Sequence, residues 1–553
     1  MVISADLFNF KKLKNLADWK LLLFLLLFLN VKLAVKIPAI AIIYLLQFNF
    51  KFGFSLKNSR LPLFYLLAIV IAVVNWLISR NYGNTNYNIV MLTGIGFWLL
   101  CILALHQVKL SVENNDTETI HRTIIIFFVL NAVCSLLNLA VIVLETGSIN
   151  PYTYQGQYQK YFIGTGDYIK GLTFDTSTTN AVLNAFGVIY FLTKKNTAML
   201  LVCMAVMLLT GSNFTNMALL IILALLFIFK TSRDQKSLIV VCLMFLVVFM
   251  VKVSPQNNMY VHETFKNTLN PVVKHTTPPP VSNLPLTLTP DSLLNPEQIR
   301  QKIAQKYIDS MYAVAHPKIP EIVKVAPIAM AATESGRVII PKPDINSMPY
   351  QHVADTTSYQ WKLLSFIGSH KAELPIAGQD NYKATLPGKV MTWLQTFNFL
   401  HHHPVRILTG DGIGNFSSKL AFRASGLGFA GGYPQKYTYI NPDFLKNHLD
   451  IYLDFFSKKT DYHTLSNNPD SVYDQLLAEY GLLGMAAFLL CYLGFFLRHY
   501  KKLTYGLPIL LLVLAMFLIE YWFEQLSILL FFELLLLLNI KESSTKKILS
   551  HAS

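Results

Sequence analysis

Apolar residues along this chain fall into long unbroken runs, not into the alternation of a half-buried strand or the single stripe of a surface helix. Twelve runs come near the ~15–25 residues that a helix needs to cross a hydrocarbon core. They cover residues 17–30, 33–48, 61–79, 88–108, 123–145, 179–193, 197–211, 215–230, 237–253, 482–498, 506–520 and 524–540. The first two are short and fit a shallow hairpin. Short polar turns separate most of the others, but one polar stretch lasts from 254 to 481. The pattern predicts an all-α polytopic membrane protein with about twelve transmembrane helices and one long, mostly helical outer loop between spans nine and ten. It divides the chain into an N-terminal bundle (1–253), an outer-loop insertion (254–385), a second outer-loop segment (386–481) and a C-terminal bundle with its tail (482–553).

Composition agrees with this. The chain is 53% hydrophobic and 14% charged, where a soluble protein would carry about 25% charged residues. Basic residues set the expected orientation. One set of loops holds the Lys11–Lys20 cluster, Lys51, Lys57, Arg60, Lys109, Arg122, Lys194, Lys195, Lys230, Arg233, Lys236, Arg498, Lys501, Lys502, Lys541, Lys546 and Lys547. The short loops on the other side hold only Lys32, Lys36, Arg80, Lys160 and Lys170. Both termini are therefore expected in the cytoplasm and the long loop outside. The net charge of +15 then faces anionic headgroups and needs no nucleic-acid partner. Lys11, Lys12, Lys14 and Lys20 lead into one apolar run and then another, so no cleavable signal is expected. Cys101, Cys134, Cys203, Cys242 and Cys491 all fall within runs, so no disulfide is expected to hold the outer loop.

The outer loop changes character midway. "TTPPPVSNLPLTLTP" (276–290) reads as an extended spacer. Residues 295–315 read as an amphipathic helix, with Asn295 as cap, Pro296 in the first turn, and Ile299, Ile303, Tyr307 and Met311 on one face. The second segment has more glycine and aromatic residues. Its stretch "HHHPVRILTGDGIGNF" (401–416) suggests both a metal and a phosphate site. Neighbouring helical side chains point about 100° apart, so the three histidines make a poor cage, and no metal is expected. The glycines follow neither the Walker nor the dinucleotide-binding spacing. Pro404 is expected to stop a helix that ends at the histidines.

With the runs and outer loop in place, the chain resembles the O-antigen ligase and O-antigen polymerase superfamily. The resemblance is best over 386–500. There, "GKVMTWLQTFNFLHHHPVRILTGDGIGNF" resembles the superfamily's basic residue, tryptophan helix, proline and glycine turn. "DSVYDQLLAEYGLLG" (470–484) resembles its entry to the next span. "YIKGLTFDTSTTN" (168–180) and "LLTGSNFTNMALL" (208–220) resemble two further outer loops, and residues 255–385 look like an insertion. Several positions depart from the ligase pattern. Lys170 and Lys389 stand where arginine is usual, Ser212–Asn213 where Ser-Arg is common, and Asp470–Ser471 where His-Asn is usual. These departures turn the implication from ligase towards polymerase.

The resemblance implies a glycosyltransferase of the bacterial inner membrane acting at its outer, periplasmic face, without cofactor or metal. Its substrate would be a glycan on polyprenyl (undecaprenyl) diphosphate, and its acceptor a glycan or lipid A core. Membrane lipids and other polysaccharide-export proteins would be its neighbours. A sugar hydroxyl attacks the anomeric carbon and the diphosphate leaves, so fixed cations are needed where negative charge grows. Lys170, Lys389, Arg406, Arg423, Gly412 and Gly414 are the expected diphosphate ligands, with Asp470, Lys389 and Arg423 carrying catalysis. Trp393, Phe416 and Tyr473 are expected to meet sugar.

Each has a plainer reading: solvated cations, a structural turn, rings packing the loop, and Asp470 or Ser471 as a helix cap. His448 and His463 are alternative bases or surface hydrogen-bonders. Glu479 is expected to favour a helix dipole, and Glu520 and Glu524 to be solvated. The alternatives to polymerase are an O-antigen ligase or protein O-oligosaccharyltransferase, a transporter or flippase, and an assembly scaffold. A transporter would place ionisable residues deep in its spans.

Overall fold

The structure is a computed structural model. It describes residues 17–30, 33–47, 61–153, 165–173, 175–229, 231–254, 387–426, 433–455, 465, 467–501 and 503–552. The outer-loop insertion, with its expected spacer and amphipathic helix, and His463 lie outside the described residues.

Every apolar run folds as helix, and no strand occurs among the described residues. The N-terminal region gives α1 (Trp19–Asn30), α2 (Leu33–Gln47), α3 (Phe64–Ile78), α4 (Thr85–Asn114), α5 (Thr117–Thr146), α6 (Ser177–Lys194), α7 (Thr197–Leu209), α8 (Asn213–Phe229) and α9 (Arg233–Val248). The outer segment gives α10 (Gly388–His402) and the short α11 (Arg406–Thr409), α12 (Lys419–Ala424), α13 (Pro442–Asn447) and α14 (Leu449–Phe455). The C-terminal region gives α15 (Val472–Ala487), α16 (Gly506–Met516), α17 (Trp522–Gln525) and α18 (Ser527–Ala552). Local chemistry fixes several starts. Asn84, Thr176 and Asn196 accept N3 amides at α4, α6 and α7, and Ser232 with Gln235 forms a capping box at α9.

Among the described residues, four helical segments are long and apolar enough to cross a membrane: Thr85–Asn114, Thr117–Thr146, Arg233–Val253 and Val472–Leu497. The core is made by α6 and α18. From Thr179 to Leu192, and from Ser527 to Asn539, every residue is buried. α18 packs on α1, α4, α6 and α16. The outer helices instead turn large apolar side chains outward, among them Leu136, Leu137 and Leu144 of α5 and Met244, Val247 and Val248 of α9. Exposed apolar surface on this scale suits a lipid environment.

Two features shape the loops that join these helices. First, the Gly171–Thr173 turn inserts beside α5 and α6. The Gly171 and Leu172 amides donate to the Asn138 and Asn131 side chains at 2.9 Å each, and Asn180 donates to the Ile169 carbonyl at 2.9 Å. Buried asparagines therefore satisfy a buried loop. Second, α15 begins at Val472, ahead of the apolar run at 482, and breaks at Gly481 (φ 64°, ψ −162°). The break frees carbonyls that the glycine turn takes up. Asp411 N–H donates to Ala478 O at 2.8 Å, and Gly412 N–H to Glu479 O at 3.1 Å. A Cβ on Gly410 would strike the Glu479 backbone, and one on Gly481 would strike that of Leu408. Two backbones thus meet where only glycine fits.

Candidate functional site

The segments flanking α10 and α15 meet one another. Lys389, in the first turn of α10, donates its ammonium to the backbone carbonyls of Asn468 (2.8 Å) and Asp470. Burial lowers this ammonium to about 8, against the opposing pull of Asp470, Glu520 and Asp474. In this arrangement Lys389 clamps the strand of chain entering α15, rather than pointing at an open phosphate site. The helix cap is Ser471, whose hydroxyl accepts the Asp474 amide. The Asp470 carboxylate is left for other work. Its Oδ1 accepts the Tyr452 hydroxyl at 2.9 Å.

Around Asp470 stand groups from widely separated segments. Glu520, in the turn between α16 and α17, lies within electrostatic reach of Asp470. Lys419 of α12 lies 3.9 Å from Glu520, and Gln525 donates to Glu520 at 2.6 Å. Glu524 accepts Gln475 at 2.5 Å and lies within electrostatic reach of Arg423 and Lys419. Asp175, just after the inserted turn, reaches Glu520 and Lys36 electrostatically, and Lys36 reaches Arg423. Lys389, Asp470 and Arg423, expected to carry catalysis, therefore belong to one cluster. Beneath it lies a narrow cavity with an apolar wall of Trp98, Ile413, Leu420 and Phe523 and a polar end of Gln475 and Glu524.

Several expected roles change. Gly412 and Gly414 do not offer their amides to a phosphate: the Gly412 amide is bonded to the Glu479 carbonyl, and Gly414 N–H donates to Glu479 Oε2 at 2.9 Å. Phe416 N–H adds a bond to Oε1 at 3.2 Å. Glu479, fully buried, thus fills the glycine turn with a side chain from its own chain, and does more than favour a helix dipole. Phe416 is also fully buried, edge-on to His448 and tilted on Phe399, so its ring has no face for a sugar. Arg406 pairs with Asp411 and with Asp443, the latter at 3.4 Å. Those partners compete for it with any phosphate. Tyr473 points its hydroxyl at Leu514 O (2.7 Å), and Trp393 stacks on Phe397.

Lys170 stands at the edge of the inserted turn near Asp167, whose loop reaches the cluster through Asp175. His448 is buried, not a surface residue, and burial pushes its imidazole down to about 3. His401, His402 and His403 end α10 exposed; the Nδ1 atoms of His402 and His403 approach the Asn398 and Phe399 carbonyls at 2.8 and 2.9 Å. Glu520 and Glu524 are not solvated: the Glu520 side chain is only 12% exposed, and Glu524 is tied to Gln475.

Sequence reading passed over Lys36, Asp175, Tyr452 and Glu520 as members of the site. Lys36 left a signal, since a lysine inside "LAVKIPAIAIIYLL" breaks an apolar run. The others left none, because their role comes from who faces them. The chain matches no protein-family model, no curated protein and no solved structure.

Proposed function

We propose that the protein is a membrane glycosyltransferase that transfers or polymerises glycan carried on polyprenyl diphosphate at the outer face of the bacterial inner membrane. In this reading twelve helices span the bilayer, both termini are cytoplasmic and the 254–481 loop is periplasmic. Support comes from one observation above the others: Lys389, Lys419, Tyr452, Asp470 and Glu520, drawn from five separate stretches, converge in one region. Surface charges scattered for solubility would not converge so.

Asp470 is placed to take the proton of an acceptor hydroxyl. As the hydroxyl oxygen bonds to the anomeric carbon, the bond from that carbon to the diphosphate oxygen breaks. The electron pair leaves with the diphosphate, where Lys419 and Arg423 supply positive charge. Removing one such preorganised group typically costs ~100- to 1000-fold. The test is a deletion strain complemented with Asp470→Asn or with Lys419→Ala and Arg423→Ala together. Loss of surface-polysaccharide chain extension, with the variant present in the membrane, supports the polymerase reading. Loss of attachment to the lipid core instead indicates a ligase, and unchanged polymer length and amount overturns the site.

A second reading is a transporter, which would use an ionisable group deep in the helical body; Glu533 of α18 is such a residue, and it is tied to Tyr65 and Tyr492. This reading predicts lipid-linked repeat units trapped on the cytoplasmic side of the deletion strain.

A further inference from the structure

Buried polar groups in a folded protein almost always have hydrogen-bond partners. One compartment of this molecule breaks that rule. α10 packs against α13, α14 and α15, and contacts at two levels fix how these helices line up. At one level, Lys389 of α10 holds the Asn468 and Asp470 carbonyls ahead of α15, and Tyr452 of α14 donates to Asp470 Oδ1 at 2.9 Å. At the other, Phe399 of α10 tilts on Phe416 with ring centres 4.5 Å apart, and both share a packed cluster with Leu477 and Ala478 of α15. His448, where α13 gives way to α14, meets Phe416 edge-on with ring centres 4.4 Å apart.

Between these levels come the residues of interest. Positions three and four apart share a helix face. One turn before Phe399 and Leu400 stand Gln395 and Thr396, and one turn before Leu477 and Ala478 stands Asp474. The electrostatic neighbours of Asp474 are Ser417, Thr396 and Lys389. Gln395, Thr396 and Asp474 are each fully buried. Yet both Asp474 carboxylate oxygens, the Thr396 hydroxyl and both polar atoms of Gln395 have no hydrogen-bond partner. Lys389 is the nearby cation, and its ammonium is already engaged by backbone carbonyls. A carboxylate removed from water without a partner is among the costliest groups a fold can enclose.

We infer that this compartment binds one dehydrated monovalent cation, sodium or potassium, through the Asp474 carboxylate, the Gln395 amide oxygen and the Thr396 hydroxyl. The unpartnered oxygens are the hard ligands that such ions take. One carboxylate among neutral oxygens balances a single positive charge, and the Lys389 ammonium close by disfavours a second. Full burial of all three residues suits a guest no larger than an ion with its last waters. Those waters would serve the remaining unpartnered groups, Gln395 Nε2 and the His448 ring. The ion ties α10 to α15 next to the Lys389 clamp and so keeps the clamp in register. The inference does not depend on the transferase reading.

The test follows melting of the purified protein in detergent, at neutral pH and fixed ionic strength, as choline chloride is replaced by sodium chloride or by potassium chloride. The melting temperature is expected to climb and level off with one of the two metal cations, and the cation that acts at lower concentration is the ion of the site. Asp474→Asn is expected to abolish this dependence. Thr396→Val is expected to raise the half-saturating concentration about tenfold, the effect of one lost ligand. Asp443→Asn, on α13 and paired with Arg406, is expected to keep the wild-type response. Identical melting in all three salts overturns the inference, as does a cation response that survives in Asp474→Asn. If Asp474→Asn does not accumulate, binding of radioactive sodium and rubidium to the wild-type protein decides: saturable binding of one ion per chain supports the site, and no binding overturns it.

Discussion

Glu520 and Glu533 lie on the same C-terminal stretch, yet the fold treats them in opposite ways. Glu520 stands in a turn among lysines, carboxylates and a tyrosine, with its side chain still 12% exposed. Glu533 sits inside α18 with no exposure, and its Oε1 accepts the hydroxyls of Tyr65 (2.5 Å) and Tyr492 (2.9 Å). Aromatic rings surround it, with Phe64, Trp98, Phe488 and Phe523 packing on those tyrosines. Among the described residues Glu533 forms no ion pair. The two tyrosines come from α3 and from the π-helical turn Phe488–Leu493 after α15, so Glu533 ties three elements together. A polar group enclosed and held by neutral donors serves packing. A polar group among opposed charges, with water near, is available for proton transfer.

The largest effect should separate these roles. Asp470→Asn is expected to lower transfer by ~100- to 10,000-fold, the range for a positioned general base, while leaving the melting temperature close to wild type. Glu533→Ala is expected to do the reverse, lowering the melting temperature and sparing turnover per folded molecule. A large loss of turnover in folded Glu533→Ala would break the comparison.

The next effect concerns the seam between α11 and α15. Gly481→Ala puts a Cβ against the Leu408 backbone at a positive φ. A core clash of this kind costs about 1–3 kcal/mol. The variant is expected to melt earlier and, by shifting the chain entering α15, to lose transfer as well. Glu533→Ala should sit at a similar level, since each hydroxyl left unpaired inside the body costs about 1–3 kcal/mol.

A smaller effect is the pH dependence of stability. Glu520 is raised from 4.5 to about 8. Between those values the folded state binds more protons than the unfolded, so stability falls as pH rises. Lys389 is lowered from 10.5 to about 8. Between 8 and 10.5 the folded state binds fewer protons, so this lysine's contribution rises with pH. The melting temperature is therefore expected to dip near pH 8. In Glu520→Gln the falling limb should weaken, and a wild-type profile there would refute the assignment. The smallest effect is Tyr473→Phe. It removes one bond to Leu514 O, costing about 0.5–1.5 kcal/mol, and should leave transfer nearly intact.

The helices were legible because lipid leaves the chain little choice. A run such as 123–145 must close its own backbone hydrogen bonds, and it does so as α5. The start of α10 at Gly388 and its end at the histidines before Pro404 were likewise written locally. The site was legible only in part. Lys389 and Asp470 were singled out and do meet, but through a lysine clamp on backbone carbonyls. The glycine turn read as a phosphate cradle, yet its amides are taken up by the side chain and backbone of Glu479. Nothing local marks that carboxylate as the guest, since it approaches from a helix some sixty residues further on, with a separation of 65 from Gly414. Glu520 read as solvated because turn glutamates usually are; only the packing of α12 and the Asp470 segment against that turn encloses it.

The order of apolar and polar residues by itself determined that the described residues are helical and where most of those helices lie, because backbone hydrogen bonding and burial are short-range demands met within each run. Tertiary structure alone decided which charges face one another. An ionisable side chain takes its role from its neighbours' charges and from the water they exclude, and those neighbours are brought together by folding from distant parts of the chain.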